Sequence, residues 1–176
     1  MNDPVKTKVS MDNYIKSLHK EGYKTIGTGC YAEVLSKPRG RTVIKVSECV
    51  SDDGWLSYVS LVLKNPEQPC FPCIKSHKVY NHKYGMYSVT HMERLQPLYD
   101  FPDKQIKKIL GIAPYQIDNC FSVFKKNKTP KKVWSALKLL KKQYRKSTVN
   151  LDFHDGNIMV RVNGKKKTVV FTDPFS

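Results

Sequence analysis

The hydrophobic pattern of this 176-residue chain changes character at Glu93-Arg-Leu-Gln-Pro97, and that change limits the folds open to it. Upstream, period-two runs broken by Gly and Pro turns dominate; downstream, the helical period takes over. From Tyr23 the pattern gives Tyr23-Lys-Thr-Ile-Gly-Thr-Gly29, then Tyr31-Ala-Glu-Val-Leu35, a Pro38-Arg-Gly40 turn, and Arg41-Thr-Val-Ile-Lys-Val46, an antiparallel meander with a glycine bend near its start. Two more strands are expected near 74–80 and 85–92. A short helix over 10–21 precedes the meander, capped by Ser10 or Asp12, with Met11, Tyr14, Ile15 and Leu18 in phase and Gly22 as its end. A second helix opens at Ser51-Asp-Asp-Gly, presents Trp55, Leu56, Val59, Val62 and Leu63, and stops at Asn65-Pro66. Strands grouped apart from most helices indicate an α+β domain.

Downstream, helices are expected near 102–111, 114–126 and 131–146. The last is the clearest, with Pro130 favouring its start and Val133, Leu137, Leu140 and Tyr144 recurring on one stripe. Segments 157–162 and 167–172 then pair around Asn163-Gly164, a strong hairpin signal. No internal repeat or low-complexity linker appears, so one domain is expected.

Charge narrows the partners. With 31 Lys+Arg against 15 Asp+Glu the chain carries +16, which favours ATP, nucleic acid or an acidic protein surface. Between Asp103 and Lys146, 13 Lys/Arg face only Asp103 and Asp118, a net of +11, so nucleic acid is a candidate partner for 103–146. Aromatics do not interleave with those lysines, which argues against a dedicated single-strand binder, and a solvated face is the plainer account of the lysine-rich helix. Five cysteines, an odd number, without a leading apolar segment point to free thiols in a reducing interior. No apolar run approaches the roughly 18 residues of a membrane span, and Met1-Asn-Asp-Pro-Val lacks a signal-peptide pattern, so a cytoplasmic protein with no membrane partner is expected.

The chemistry is expected in Leu151-Asp-Phe-His-Asp-Gly-Asn-Ile-Met-Val160 and in Val169-Val-Phe-Thr-Asp-Pro174. Asp152 and Asn157 stand five apart in a loop, and Asp173 returns after the hairpin. A carboxylate to orient a hydroxyl, plus an amide and a second carboxylate for hard Mg²⁺, are what phosphoryl transfer requires. Upstream, Gly27-Thr28-Gly29-Cys-Tyr31-Ala32-Glu-Val34 falls between the first two strands, where glycines admit phosphates and Val34 can cover a base. Lys45, on the third strand among apolar neighbours, suits pairing with α/β-phosphates, although a strand lysine ordinarily faces solvent. Cys70-Phe-Pro-Cys73 has zinc-ligand spacing but no second pair, so two buried thiols are the better account. His154 reads as a hydrogen-bonding strut, and Cys30 as a small turn residue with a possible oxidation-sensitive role.

In this order, glycine hairpin, strand lysine, linking segment, helix, Asp…Asn loop and Asp after a hairpin, the chain resembles the protein kinase-like superfamily. Asp152-Phe-His-Asp-Gly-Asn-Ile-Met159 with Thr172-Asp-Pro174 is similar to the site of the early serine/threonine kinases of T-seven-like bacteriophages. The resemblance implies a minimal two-lobe fold: an N-terminal helix at 1–22, an antiparallel N-lobe at 23–92, a hinge at 93–97, and a reduced, largely helical C-lobe at 98–176. It implies Asp152 and Lys45 as catalytic residues; Gly27, Thr28, Gly29, Tyr31, Ala32, Val34, Lys45, Glu93 and Leu95 around ATP, with the 93–95 backbone meeting adenine; and Asn157 and Asp173 on Mg²⁺. It implies phosphorylation of Ser/Thr on host bacterial proteins in the host cytoplasm, among them RNA polymerase or translation and RNA-processing factors, during takeover of host transcription.

The pattern departs from that superfamily at several points. Ala32 replaces the third glycine, Asn150 the usual histidine, His154 the usual lysine, and Asp173-Pro-Phe the usual Asp-Phe-Gly. His at the 154 position is shared with small-molecule kinases, which keeps that substrate class open. The helix after Lys45 lacks a central glutamate; Glu48, Asp52 and Asp53 are the nearest acids. Ser176 follows Asp173 by three residues, so an activation segment and peptide platform are not expected, and a kinase-like protein that inhibits a host target by binding alone is the alternative function.

Overall fold

The alternation between Tyr23 and Met92 becomes one six-stranded sheet in the computed structural model, which describes residues 4–49, 54–113, 117, 121–147 and 149–175. The chain divides into two units, 1–51 with 73–94, and 52–72 with 95–176. The sheet belongs to the first. Its strands are β1 (Val5–Lys6), β2 (Lys24–Thr28), β3 (Ala32–Ser36), β4 (Thr42–Cys49), β5 (Ile74–His82) and β6 (Gly85–Glu93), in the order β1-β5-β6-β4-β3-β2. All pairs are antiparallel except β1 with β5. The sequence does not foresee β1, because two residues carry too little alternation to register.

Helix α1 (Met11–Lys20) starts where Ser10 Oγ accepts the Asn13 N–H at 3.3 Å and ends before Gly22, at φ 85°. Its buried Ile15 and Leu18 join Leu35, Ile44, Val46, Tyr87 and Val89 in one apolar cluster, with Met11, Tyr14, Tyr23 and Tyr80 at its margin. Since Ile44 and Val46 are taken by this cluster, strand alternation turns Val43, Lys45 and Ser47 to the other face. Glu48 shares the face of Ile44 and Val46, so it is not the acid that meets Lys45. Asp52 and Asp53, the other acids considered, and the Ser51 cap lie outside the described residues.

The second unit holds α2 (Gly54–Leu63), β7 (Gln96–Pro97), α3 (Asp103–Leu110), α4 (Lys131–Tyr144), β8 (Ile158–Asn163) and β9 (Lys166–Phe171), with a sheet β7-β8-β9. Helix α2 is covered on several sides: Trp55, Tyr58, Val59, Leu61 and Val62 are buried. Leu63, expected on the buried face, is 51% exposed, while Tyr58, not expected there, packs edge-on against Phe71 and Phe175. The segment following α2 is fixed to the small sheet, because Arg161 donates to the Pro69 and Phe71 carbonyls at 2.7 and 2.8 Å and the Phe171 N–H donates to the Cys70 carbonyl at 3.0 Å.

Helix α4 buries Val133, Ala136, Leu137 and Leu140; Tyr144, at the end of the expected stripe, is 37% exposed. The helix expected at 114–126 falls in part outside the described residues. Its described end is a single 3-10 turn at Phe121–Val123 followed by irregular chain. Closely spaced lysines at 125, 126 and 128, Asn127 and Pro130 oppose continuation of a helix there. Gly164, at φ 58°, turns β8 into β9 where the hairpin was expected.

Candidate active site

Phe153 explains why the loop 151–157 has a defined position. It is an apolar residue set between Asp152 and His154, only 1% exposed, with its ring 5.1 Å from that of Phe171, 5.7 Å from Phe124 and 5.9 Å from Phe121 between centroids. A buried ring of this kind contributes roughly 1.5–3 kcal/mol by transfer from water, enough to hold the polar residues beside it. The sequence signal was present, one aromatic between two polar residues, but a single side chain carries no period.

The backbone completes the placement. Leu151 bridges Phe175, the Asp152 N–H donates to the Pro174 carbonyl at 3.0 Å, and the Asn157 carbonyl accepts both the Thr172 N–H at 2.9 Å and the Thr172 hydroxyl at 3.0 Å. The loop bearing Asp152 and Asn157 is thus laced to the segment 172–175 that bears Asp173. These three residues, 21 positions apart at the extremes, are brought together within one unit.

Asn157 and Asp152 touch directly. Asn157 Nδ2 donates to the Asp152 carbonyl at 2.8 Å and to Asp152 Oδ2 at 3.0 Å. Both partners can only accept, which fixes the amide with its NH₂ toward Asp152 and leaves Oδ1 as a neutral oxygen donor. His154 is near the other oxygen of the same carboxylate. Its Nδ1 accepts the Gly156 N–H at 3.1 Å, so the neutral ring carries its proton on Nε2, 3.5 Å from Asp152 Oδ1. Gly156 makes room for the ring, since a Cβ there would stand 2.8 Å from His154 Cε1. The strut role expected of His154 therefore has a definite form: imidazole and amide flank Asp152.

Beneath the 172–175 segment, the Tyr58 hydroxyl donates to the Phe171 carbonyl. Burial raises the Tyr58 pKa well above its usual value, and the nearby Asp173 pushes it further, so this hydroxyl remains a proton donor. Cys70 is fully buried, with a thiol pushed up to about 11 by desolvation, whereas Cys73 is exposed. The expectation of two buried thiols holds only for Cys70, because Cys73 sits at the outer end of the turn that leads into β5.

The first unit carries the residues expected around a nucleotide except Leu95. Val34 pairs directly with Lys45, and Lys45 with Thr90, so the three form a row on the sheet face away from α1. Lys45 is 6% exposed, not the solvated side chain usual for a strand lysine. Gly27 pairs with Val34 and Thr28 with Glu33, and the Gly29 N–H donates to the Ala32 carbonyl at 2.8 Å, closing the β2–β3 hairpin. Tyr31, at the tip, is 62% exposed, and its carbonyl accepts the Glu48 N–H at 2.8 Å. Glu93 is braced at both ends, its N–H on the Cys73 carbonyl at 3.1 Å and its Oε1 accepting the Cys73 N–H at 2.7 Å. Leu95 is half-buried and opens the second part of the other unit.

No protein-family model and no curated protein matches the sequence. Among solved structures the chain is similar to the MAP kinase LmaMPK10 from Leishmania major, at 16% identity and a TM-score of 0.44, over 93% of this chain and 49% of that one. The chain therefore spans about half the length of that kinase.

Chemically, the 152–157 loop offers one carboxylate held by an amide and an imidazole, and the segment laced to that loop carries a second acid, Asp173. Among the described residues no group of three or more His, Cys, Asp or Glu could hold a metal unaided. A hard oxygen pair such as Asn157 Oδ1 and the Asp173 carboxylate fits Mg²⁺, which takes one or two protein oxygens and completes its shell with water and phosphate.

Proposed function

We propose that this chain is a phosphotransferase that uses ATP and Mg²⁺, with Asp152 receiving the proton of an attacking hydroxyl. The observation that carries the proposal is the Asn157–Asp152 contact laced to the Asp173 segment, which supports one shared task for three separated residues. ATP supplies the phosphoryl group; Asn157 and Asp173 would hold Mg²⁺, which would offset the charge on its phosphates. Asp152 orients the acceptor hydroxyl and takes its proton as the new O–P bond forms and ADP departs. Lys45 pairs with the α/β-phosphates, the 27–32 backbone with Thr28, Tyr31 and Ala32 covers them, Val34 covers the base, and the backbone of Glu93 and Leu95 meets its edge. Catalysis of this kind is positioning and charge neutralisation.

Two glycines add support. Neither Gly27 nor Gly29 has positive φ, and a Cβ at either would meet nothing nearer than 3.9 Å. The fold does not require glycine at the tip; close approach of a phosphate does.

For the acceptor we propose Ser/Thr of host bacterial proteins, on the likeness of 152–159 and 172–174 to the phage kinases, with takeover of host transcription as the role. The decisive experiment incubates the purified chain with γ-labelled ATP, Mg²⁺ and bacterial lysate. Label on protein Ser/Thr is expected with wild type and none with Asp152→Ala or Asp173→Ala, both folded by circular dichroism. Full transfer by both variants would overturn the proposal, and equal inhibition of the host by wild type and Asp152→Ala would favour action by binding.

A further inference from the structure

The second unit contains a small cavity unconnected with these residues. Among the described residues it is lined by Lys107, Gly111, Ile112, Val123, Lys125 and Lys128, and its volume is about 240 Å³. Two elements bring the lysines to it. Lys107 lies in the last turn of α3, whereas Lys125 and Lys128 come from the turn closed by the Lys128 and Thr129 N–H groups on the Lys125 carbonyl, each at 2.9 Å.

Gly111 makes the juxtaposition possible. It ends α3 at φ 94°, and a Cβ there would stand 2.8 Å from Thr129 Cα, 2.9 Å from the Lys128 carbonyl oxygen and 3.0 Å from Pro130 Cδ. Any other residue would force the turn away from the helix.

We propose that this cavity binds the phosphate of a phosphomonoester carried on a protein, that is, a phosphoserine or phosphothreonine side chain. Three exposed lysines from two elements line one hollow, and like charges held on one rim repel one another. None of the three has a carboxylate within ion-pair distance among the described residues, and the rest of the described lining is apolar or glycine. The end of α3 explains only part of this, since a helix C-terminus carries about half a negative charge and Lys107 already meets it. Lys125 and Lys128 add two full charges from a separate element.

A phosphomonoester brings roughly −1.5 to −2 charge and three acceptor oxygens to one point, which suits a hollow lined by three cationic side chains. A polynucleotide is the poorer match. Its phosphates carry one charge each along an open track, and no aromatic of the described lining offers a face on which a base could stack. The volume is many times the roughly 10–15 Å³ that a water needs on the same measure, leaving room for a phosphate and the carbon that bears it.

The test uses the full chain without nucleotide at physiological ionic strength. Fluorescein-labelled Gly-Ala-phosphoserine-Ala-Gly and its unphosphorylated twin are titrated by anisotropy. The phosphopeptide is expected to bind roughly tenfold tighter or better, as one charge-assisted contact already allows, with inorganic phosphate competing. K107A/K125A/K128A is expected to erase the difference, and K138A/K141A, on the exposed face of α4, to preserve it. Undiminished phosphopeptide binding by the triple variant overturns the proposal. So does equal weakening by K138A/K141A, which would mean a diffuse field, or tighter binding of a short DNA duplex lost through the same three substitutions, which would make the site one for nucleic acid. Lys125→Glu, a single exposed change, gives the same reading should the triple variant fail to fold. Because no phosphoryl transfer is measured, the result stands apart from that of the labelled-ATP assay.

Discussion

Replacing Asn157 by Asp tests the contact on which the candidate site rests. The wild-type amide donates to the Asp152 carbonyl at 2.8 Å and to its Oδ2 at 3.0 Å. Asn157→Asp removes both donors and sets a second carboxylate against the first. Two unit charges at that 3.0 Å separation repel by about 1.4 kcal/mol in water and about 5–6 kcal/mol at an effective dielectric constant near 20. The Asp152 side chain is 39% exposed, so screening draws the figure down to roughly 2–3 kcal/mol. Losing two hydrogen bonds adds about 1 kcal/mol each.

The total, roughly 4 kcal/mol, corresponds to a fall in Tm of about 8–16 °C for a chain of this length. The sign with pH follows from which state binds protons. Repulsion raises one carboxyl pKa of the folded variant above its unfolded value, so the folded variant binds more protons and regains stability as pH falls through that raised value. The deficit against wild type should be largest near about pH 8 and shrink toward about pH 5, where unperturbed carboxylates remain ionised. Thermal unfolding by circular dichroism in EDTA measures it. Equal Tm values, or a deficit independent of pH, would show that the two side chains do not share the contact described.

Phe153→Ala should cost about 3–5 kcal/mol, the usual range for emptying a buried aromatic site, read by denaturant unfolding; a loss below about 1 kcal/mol would mean that the loop is held by its hydrogen bonds alone. Iodoacetamide near neutral pH should label the exposed Cys30 and Cys73 and spare Cys70, whose thiol is pushed up to about 11 by burial, with peptide mass spectrometry as the readout; equal labelling of Cys70 and Cys73 would contradict the burial.

The α+β class was legible in the sequence because its evidence is local. β3 and β4 alternate, α1 has a cap and a glycine end, and Asn163-Gly164 turns one strand into the next. What local pattern cannot report is the partner. Helix α2 has an apolar face by period, but its partners include Phe71 and Phe175 in the second unit, and several covered sides leave Leu63 outside where a single stripe would have placed it inside. The same holds at the candidate site. The types and order of Asp152, Asn157 and Asp173 could be read directly, whereas their lacing through Thr172 and Pro174 uses backbone atoms that every residue possesses, and so leaves no trace in composition.

Glycine separates these two kinds of information. In sequence, Gly29 and Gly111 are alike, each ending a periodic segment. In the structure Gly111 is demanded by the chain itself: its φ is positive and the turn at Thr129 occupies the place of a side chain. Gly29 has ordinary φ, and a Cβ there would have 4.0 Å of clearance. An alanine would fold equally well at the hairpin tip, so the fold supplies no reason for glycine there. The reason offered by the proposed function is a phosphate approaching the backbone from outside. The row formed by Val34, Lys45 and Thr90 on the neighbouring strands is where an apolar cover and a buried cation would serve the same ligand.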